Sequence, residues 1–179
     1  AGKTSLILKI IEALSGKHKI GVIEGDIASD VDARKIQKTN VDVVQINTRG
    51  AFHLDANMIL SAAESLGLDG KQLLIIENVG NLVCPAEFKL GENIKVMILS
   101  IPEGHDKPLK YPLMFTESNA LILNKIDLLP HTDFDMEELR KTVLAMNPSI
   151  QIFPLSAKTG EGIRDFTGWL EGKISPTAL

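Results

Sequence analysis

The chain is poor in the residues on which several protein classes depend. One cysteine in 179 residues excludes an internal disulfide framework and fits a reducing compartment, so a cytoplasmic location is expected. One Trp, one Tyr and six Phe, 4% aromatic in all, leave too few rings for base-stacking platforms. Basic residues do not exceed acidic ones: 19 Lys and Arg against 23 Asp and Glu give a net charge of −4, which is no footprint for nucleic acid. No apolar run approaches the roughly 18 residues of a membrane span. The longest runs, such as Leu73-Leu74-Ile75-Ile76, have the length of a core strand. Repeats, low-complexity tracts and linkers are lacking too, so one domain over residues 1–174 with a loose tail at 175–179 is expected. What remains, 44% apolar and 23% charged, is the composition of an ordinary soluble globular chain.

Apolar runs alternate with helix-period segments along the whole length. The runs predict strands at Ile20–Glu24, Val43–Gln45, Leu73–Glu77, Val96–Ser100, Ala120–Asn124 and Ile152–Leu155. They are apolar on both faces, as parallel strands covered by helices must be. Helices are predicted at Lys3–Ser15, Asp32–Lys38, Leu54–Leu66, Pro108–Phe115, Met136–Met146 and Gly162–Leu170. Gly16 is read as a C′ residue, Asp135 as an N-cap and Pro148 as a stop. The fold expected is α/β, a mostly parallel sheet flanked by helices, with ligands at the carboxyl ends of the strands.

Three motifs sit where such ligands bind. Gly2-Lys3-Thr4-Ser5 runs into an apolar-periodic helix and matches the second half of the phosphate loop G-x-x-x-x-G-K-[ST]. The upstream half, and the first strand of a P-loop NTPase fold, are expected ahead of Ala1. Leu121-Ile122-Leu123 leads directly into Asn124-Lys125-Ile126-Asp127, an N-K-x-D turn. A carboxylate at Asp127 can accept the two N–H groups that guanine, unlike adenine, offers on one edge. Asn124 would brace that loop and the Lys125 stem would cover the base. Ser156-Ala157-Lys158 follows the next strand, with Ser156 standing 29 residues after Asp127. Each motif alone is weak, and N-K-x-D by itself can be a strand ending in a polar turn. In this order they specify a guanine-nucleotide site for GTP or GDP.

Glu77, with Gly80 three residues on, occupies the place of the acidic residue that ordinary small GTPases carry after their third strand. Mg²⁺ takes hard oxygen ligands and keeps several waters, so Thr4 and Glu77, directly or through water, are candidate ligands. Glu24, Asp26, Asp30 and Asp32 place four carboxylates in nine residues, which repel unless neutralised. Asp26 is expected near Mg²⁺ or its water shell. Asp30 or Asp32 belongs to a switch or caps the helix that follows.

Glu24-Gly25-Asp26, His53-Leu54-Asp55-Ala56, the run Glu77-Asn78-Val79-Gly80-Asn81-Leu82-Val83-Cys84-Pro85 and the run Asp106-Lys107-Pro108-Leu109-Lys110-Tyr111-Pro112 together resemble the HypB family, the nickel-incorporation GTPases of hydrogenase maturation. The urease-side relative UreG carries a Cys-Pro-His motif that this chain lacks. The resemblance implies a dimerising P-loop GTPase that delivers Ni²⁺ to a hydrogenase large-subunit precursor in concert with other maturation proteins. It also implies a soft-metal site for Ni²⁺ or Zn²⁺ across a homodimer, built from a Cys-His pair and a later Cys. Here the pair reads Phe52-His53, and a phenyl ring cannot ligate. Cys84 and His53 remain as thiolate and imidazole donors, or else as a small buried residue and a helix-start polar group. His18, His105 and His131 read as exposed turn residues. A metal-binding adaptor with negligible hydrolysis and a metal-independent GTPase switch are the alternative functions.

Overall fold

The computed structural model describes residues 2–25 and 31–174, with the backbone alone for 32 and 33. Asp26, Asp30 and the tail at 175–179 lie outside the described residues. The helices are α1 (Lys3–Leu14), α2 (Val31–Gln37), α3 (Ala56–Leu66), α4 (Cys84–Glu87), α5 (Lys107–Lys110), α6 (Pro112–Glu117), α7 (Met136–Met146) and α8 (Ile163–Glu171). The strands are β1 (Ile20–Glu24), β2 (Asp42–Gln45), β3 (Leu73–Glu77), β4 (Val96–Ser100), β5 (Ala120–Asn124) and β6 (Gln151–Pro154). All described strand pairs are parallel, as double-sided apolar runs require. Among the described residues no helix is long and apolar enough to cross a membrane.

The chain forms two compact units, one of residues 1–5 with 92–166 and one of 6–91 with 167–179. The first holds a sheet in the order β4-β5-β6. Its central strand β5 is buried at all five positions, with Leu121 and Ile122 at 0% exposure. Each such side chain contributes about 1.5–3 kcal/mol through burial. In register, Ser100 pairs with Asn124 at the carboxyl ends. Asn147, just past α7, donates Nδ2–H to the carbonyls of Phe115 (3.0 Å), Thr116 (3.3 Å) and Ser118 (2.9 Å). Those are acceptors that the end of α6 cannot satisfy itself.

The second unit holds a sheet in the order β2-β1-β3. Ile23, Leu54, Ile59, Ala62 and Ala63 form its core cluster, with Leu66, Leu74 and Ile76 packed against it. A Cβ on Gly25 would lie 2.5 Å from Leu54 Cδ1, so the chain leaving β1 can pass the core only as glycine. The side chain of Lys71 is 4% exposed, donates to Gly67 O (2.7 Å) beyond α3 and pairs with Asp42 Oδ2 (3.0 Å). Glu24 and Glu77 are register partners at the carboxyl ends of β1 and β3.

Several expected elements are corrected. The helix predicted over Pro108–Phe115 is two short helices, because Pro112 lacks the N–H that would continue α5 and its ring opens α6 instead. The helix predicted from Leu54 starts at Ala56, since Asp55 accepts Met58 N (2.8 Å) as N-cap. Asp135 caps α7 in the same way through Glu138 N (2.9 Å), as expected. Gly16 follows the end of α1 without taking a positive φ, so its C′ role is not the left-handed one. The strand predicted over Ile152–Leu155 begins and ends one residue earlier. His18 and His105 are not free turn residues. His18 Nε2 meets Glu171 Oε2 at 2.8 Å. His105 Nδ1 accepts Asp135 N (3.1 Å), its Nε2 lies 3.4 Å from Glu138 Oε2, and its ring stands edge-on to Phe134.

Candidate functional site

The nucleotide motifs are brought together within the first unit. Gly2 has φ +92°, and a Cβ there would lie 2.5 Å from Asn124 Nδ2, so the amide of Asn124 rests on a position only glycine can fill. Asn124 is 2% exposed, and its Oδ1 accepts both Lys125 N (2.8 Å) and Ala157 N (3.0 Å). One side chain therefore fastens the N-K-x-D turn to the Ser156-Ala157-Lys158 loop, and lies close against Gly2 just ahead of α1. At Lys125 the backbone turns through left-handed φ 65°, ψ 39°, a conformation costly outside glycine and concentrated at functional sites. That turn ends β5 and carries Asp127 into the following 3-10 turn.

Asp127 is half-buried, and its Oδ1 accepts the hydroxyl of Ser156 at 2.8 Å. The Ser156 oxygen accepts Thr159 N (3.1 Å), and Ser156 N donates to Glu161 O (2.9 Å). Ser156 is 0% exposed, so its hydroxyl is committed to these partners. Each carboxylate oxygen has two lone pairs, and Asp127 keeps acceptor capacity for an incoming pair of N–H donors. Lys125 and Lys158 are exposed. Lys3 and Thr4 open α1, where amides without helical partners and the positive helix end favour anions. Ser5 follows them on the same helix.

Glu77 lies in the second unit, 3% exposed and beside Glu24 at 0%. Asp26 lies outside the described residues. Phe52 is 64% exposed, and His53 and Cys84 are half-buried. The His53 imidazole stacks on Phe88 with centroids 3.9 Å apart and planes 5° from parallel. Among the described residues no group of three or more His, Cys, Asp or Glu is assembled for a metal. Asn81 escaped the sequence reading: it bonds the Phe52 carbonyl and the Cys84 amide. Asn81 stands two residues before Val83, the N-cap of α4, so a capping signal did not point to it.

The family pattern of the CobW/HypB/UreG nucleotide-binding domain matches residues 1–154. The hydrogenase maturation factor HypB of Azotobacter chroococcum is 52% identical over 172 residues, covering 96% of this chain and 56% of that protein. Its counterpart in Escherichia coli K12 is 47% identical over 171 residues, covering 96% and 59%. The chain thus spans less than two thirds of the length of these relatives. A crystal structure of HypB from Helicobacter pylori in complex with nickel superposes with TM-score 0.88 at 35% identity, covering 99% of this chain and 86% of that one. HypB from Archaeoglobus fulgidus superposes with TM-score 0.89 at 35% identity, covering 96% and 83%. The parallel sheets and flanking helices are those of a P-loop nucleotide-binding fold, and the chain belongs to the CobW/HypB/UreG family, in its HypB branch.

Proposed function

We propose that the chain binds and hydrolyses GTP, and that nucleotide state governs a cytoplasmic homodimer that hands Ni²⁺ to a hydrogenase precursor alongside other maturation proteins. Residues 1–174 act in this reading as one GTPase domain. The observation that carries it is the fastening of Asp127 by Ser156 and of Ala157 by Asn124, with Gly2 close against Asn124. A carboxylate pre-aimed in this way receives guanine N1–H and its exocyclic amine together, and leaves adenine unmatched. Lys3 and the first amides of α1 neutralise phosphate charge. Mg²⁺, when bound, would supply positive charge that offsets the charge of the phosphates. Thr4, Asp26 and Glu77 would hold it, and the buried Glu24–Glu77 pair suits a hard cation. Water attacks the γ-phosphorus, the bond to the β–γ bridging oxygen breaks, and GDP and phosphate leave. Positioning and charge supply the rate, and with no side chain assigned to orient the water, intrinsic turnover is slow.

The cargo ion falls to His53 and Cys84, an imidazole and a thiol that suit Ni²⁺ or Zn²⁺. Two donors per chain make four across a symmetric pair. Phe52, exposed and without a donor atom, favours as second reading a GTPase switch that carries no metal. Competition titration separates the nucleotide classes: GTP and GDP displace a fluorescent guanine nucleotide, and ATP does not at a hundredfold excess. Equal displacement by ATP contradicts the reading. Lys3→Ala is expected to stop phosphate release. Equilibrium dialysis with Ni²⁺ and Zn²⁺ decides the second question: Cys84→Ser or His53→Ala abolishes uptake under the first reading and changes nothing under the other.

A further inference from the structure

One side chain joins the segment bearing His53 to the segment bearing Cys84. Asn81 Nδ2 donates to the carbonyl of Phe52, while its Oδ1 accepts Val83 N (2.9 Å) and Cys84 N (2.8 Å). Its own amide donates to Val79 O at 2.9 Å, which ties it to the run leaving β3. One end of the carboxamide accepts the amides of the turn that leads into α4, and the other grips the peptide next to His53. A second link is independent of the first. Phe88 terminates the same short helix that Cys84 begins, and it is the ring on which His53 stacks.

We infer that Asn81 is the positioning residue of the His53/Cys84 pair, setting imidazole and thiol on one frame before any ion arrives. The inference rests on the metal reading for its consequence, but the link itself is measured separately. The grip is on a backbone carbonyl, so the exchange of a ligating side chain for the Phe52 ring leaves it intact. Groups that orient ligands without touching the ion are worth roughly 10–100-fold in affinity. Aspartate at 81 retains an acceptor for the Val83 and Cys84 amides, so the turn that leads into α4 is kept. It brings a second oxygen, with no proton, against the Phe52 carbonyl, so only the cross-link is lost.

The test uses the full chain and two readouts. In proton–carbon NMR the His53 ring protons of the metal-free protein are displaced upfield by the Phe88 ring. Asn81→Asp is expected to abolish that displacement, and its persistence overturns the inference. In titrations with Ni²⁺ alone, Asn81→Asp weakens binding about 10-fold or more, and an unchanged affinity overturns the inference as well. A wild-type chain that takes up no Ni²⁺ refutes the metal reading, and the ring-proton measurement then decides the role of Asn81 by itself.

Discussion

Asp127 does its proposed work only if its carboxylate is held still, and the group that holds it is the hydroxyl of Ser156 at 2.8 Å. A hydrogen bond to a charged group contributes about 1.5–3 kcal/mol, which corresponds to a factor of ten or more in affinity. Ser156→Ala is therefore expected to weaken GDP at least tenfold with the fold unchanged, as read by fluorescent-nucleotide titration. Unaltered affinity would remove Ser156 from the site. Phe52 makes a second residue-scale case. Its side chain is exposed and its carbonyl is already engaged. Phe52→Cys adds a thiolate next to His53 without disturbing a packed core, and is expected to raise Ni²⁺ affinity in dialysis. No gain would indicate that position 52 faces away from the ion.

At the scale of elements, Asn147 shows how one side chain finishes a helix. Its three carbonyl acceptors lie at the end of α6, and leaving them unsatisfied costs about 1–3 kcal/mol. Asn147→Ala should lower the free energy of unfolding by that amount, read as a lower urea midpoint with an unchanged slope. Lys71 closes α3 onto β2 in a related way. Its hydrogen bond and then its charge hold the Asp42 carboxyl below the ordinary carboxylate value. A lowered folded value contributes stability that is present above the unfolded value and lost as pH falls through the folded one. Lys71→Met is expected to move the Asp42 NMR titration up to the ordinary carboxylate range, and an unmoved titration would refute the pairing. The strands were legible in the sequence because double-sided apolar runs have few other uses. The break at Pro112 was legible in principle, since proline stops one helix and starts another. Short α4 was not, because its start is set by the Asn81 side chain rather than by periodicity. The partners of His18 and His105 were hidden by distance along the chain: Glu171 lies 153 residues from His18.

At the scale of the whole molecule, the loops proposed to read guanine and the His53 and Cys84 proposed to hold the metal belong to different compact units. Nucleotide and metal should therefore leave separate signatures in amide exchange. GDP is expected to protect residues 124–127 and 156–160, and Ni²⁺ to protect 52–54 and 81–88. Protection of the second set by Ni²⁺ in a Cys84→Ser variant would contradict the metal assignment. The order of the three nucleotide motifs was readable from spacing alone. The way Asn124 draws them together was not, because it depends on contacts among residues 2, 124 and 157.

The central claim, that Asp127 reads guanine, is tested most directly by exchanging its carboxylate for a carboxamide. An amide group can donate to the carbonyl oxygen that xanthine carries in place of the guanine amine. In paired titrations Asp127→Asn should lose GDP by at least a hundredfold and prefer xanthosine diphosphate, while the native chain does the reverse. A variant that still prefers GDP over xanthosine diphosphate would contradict the account.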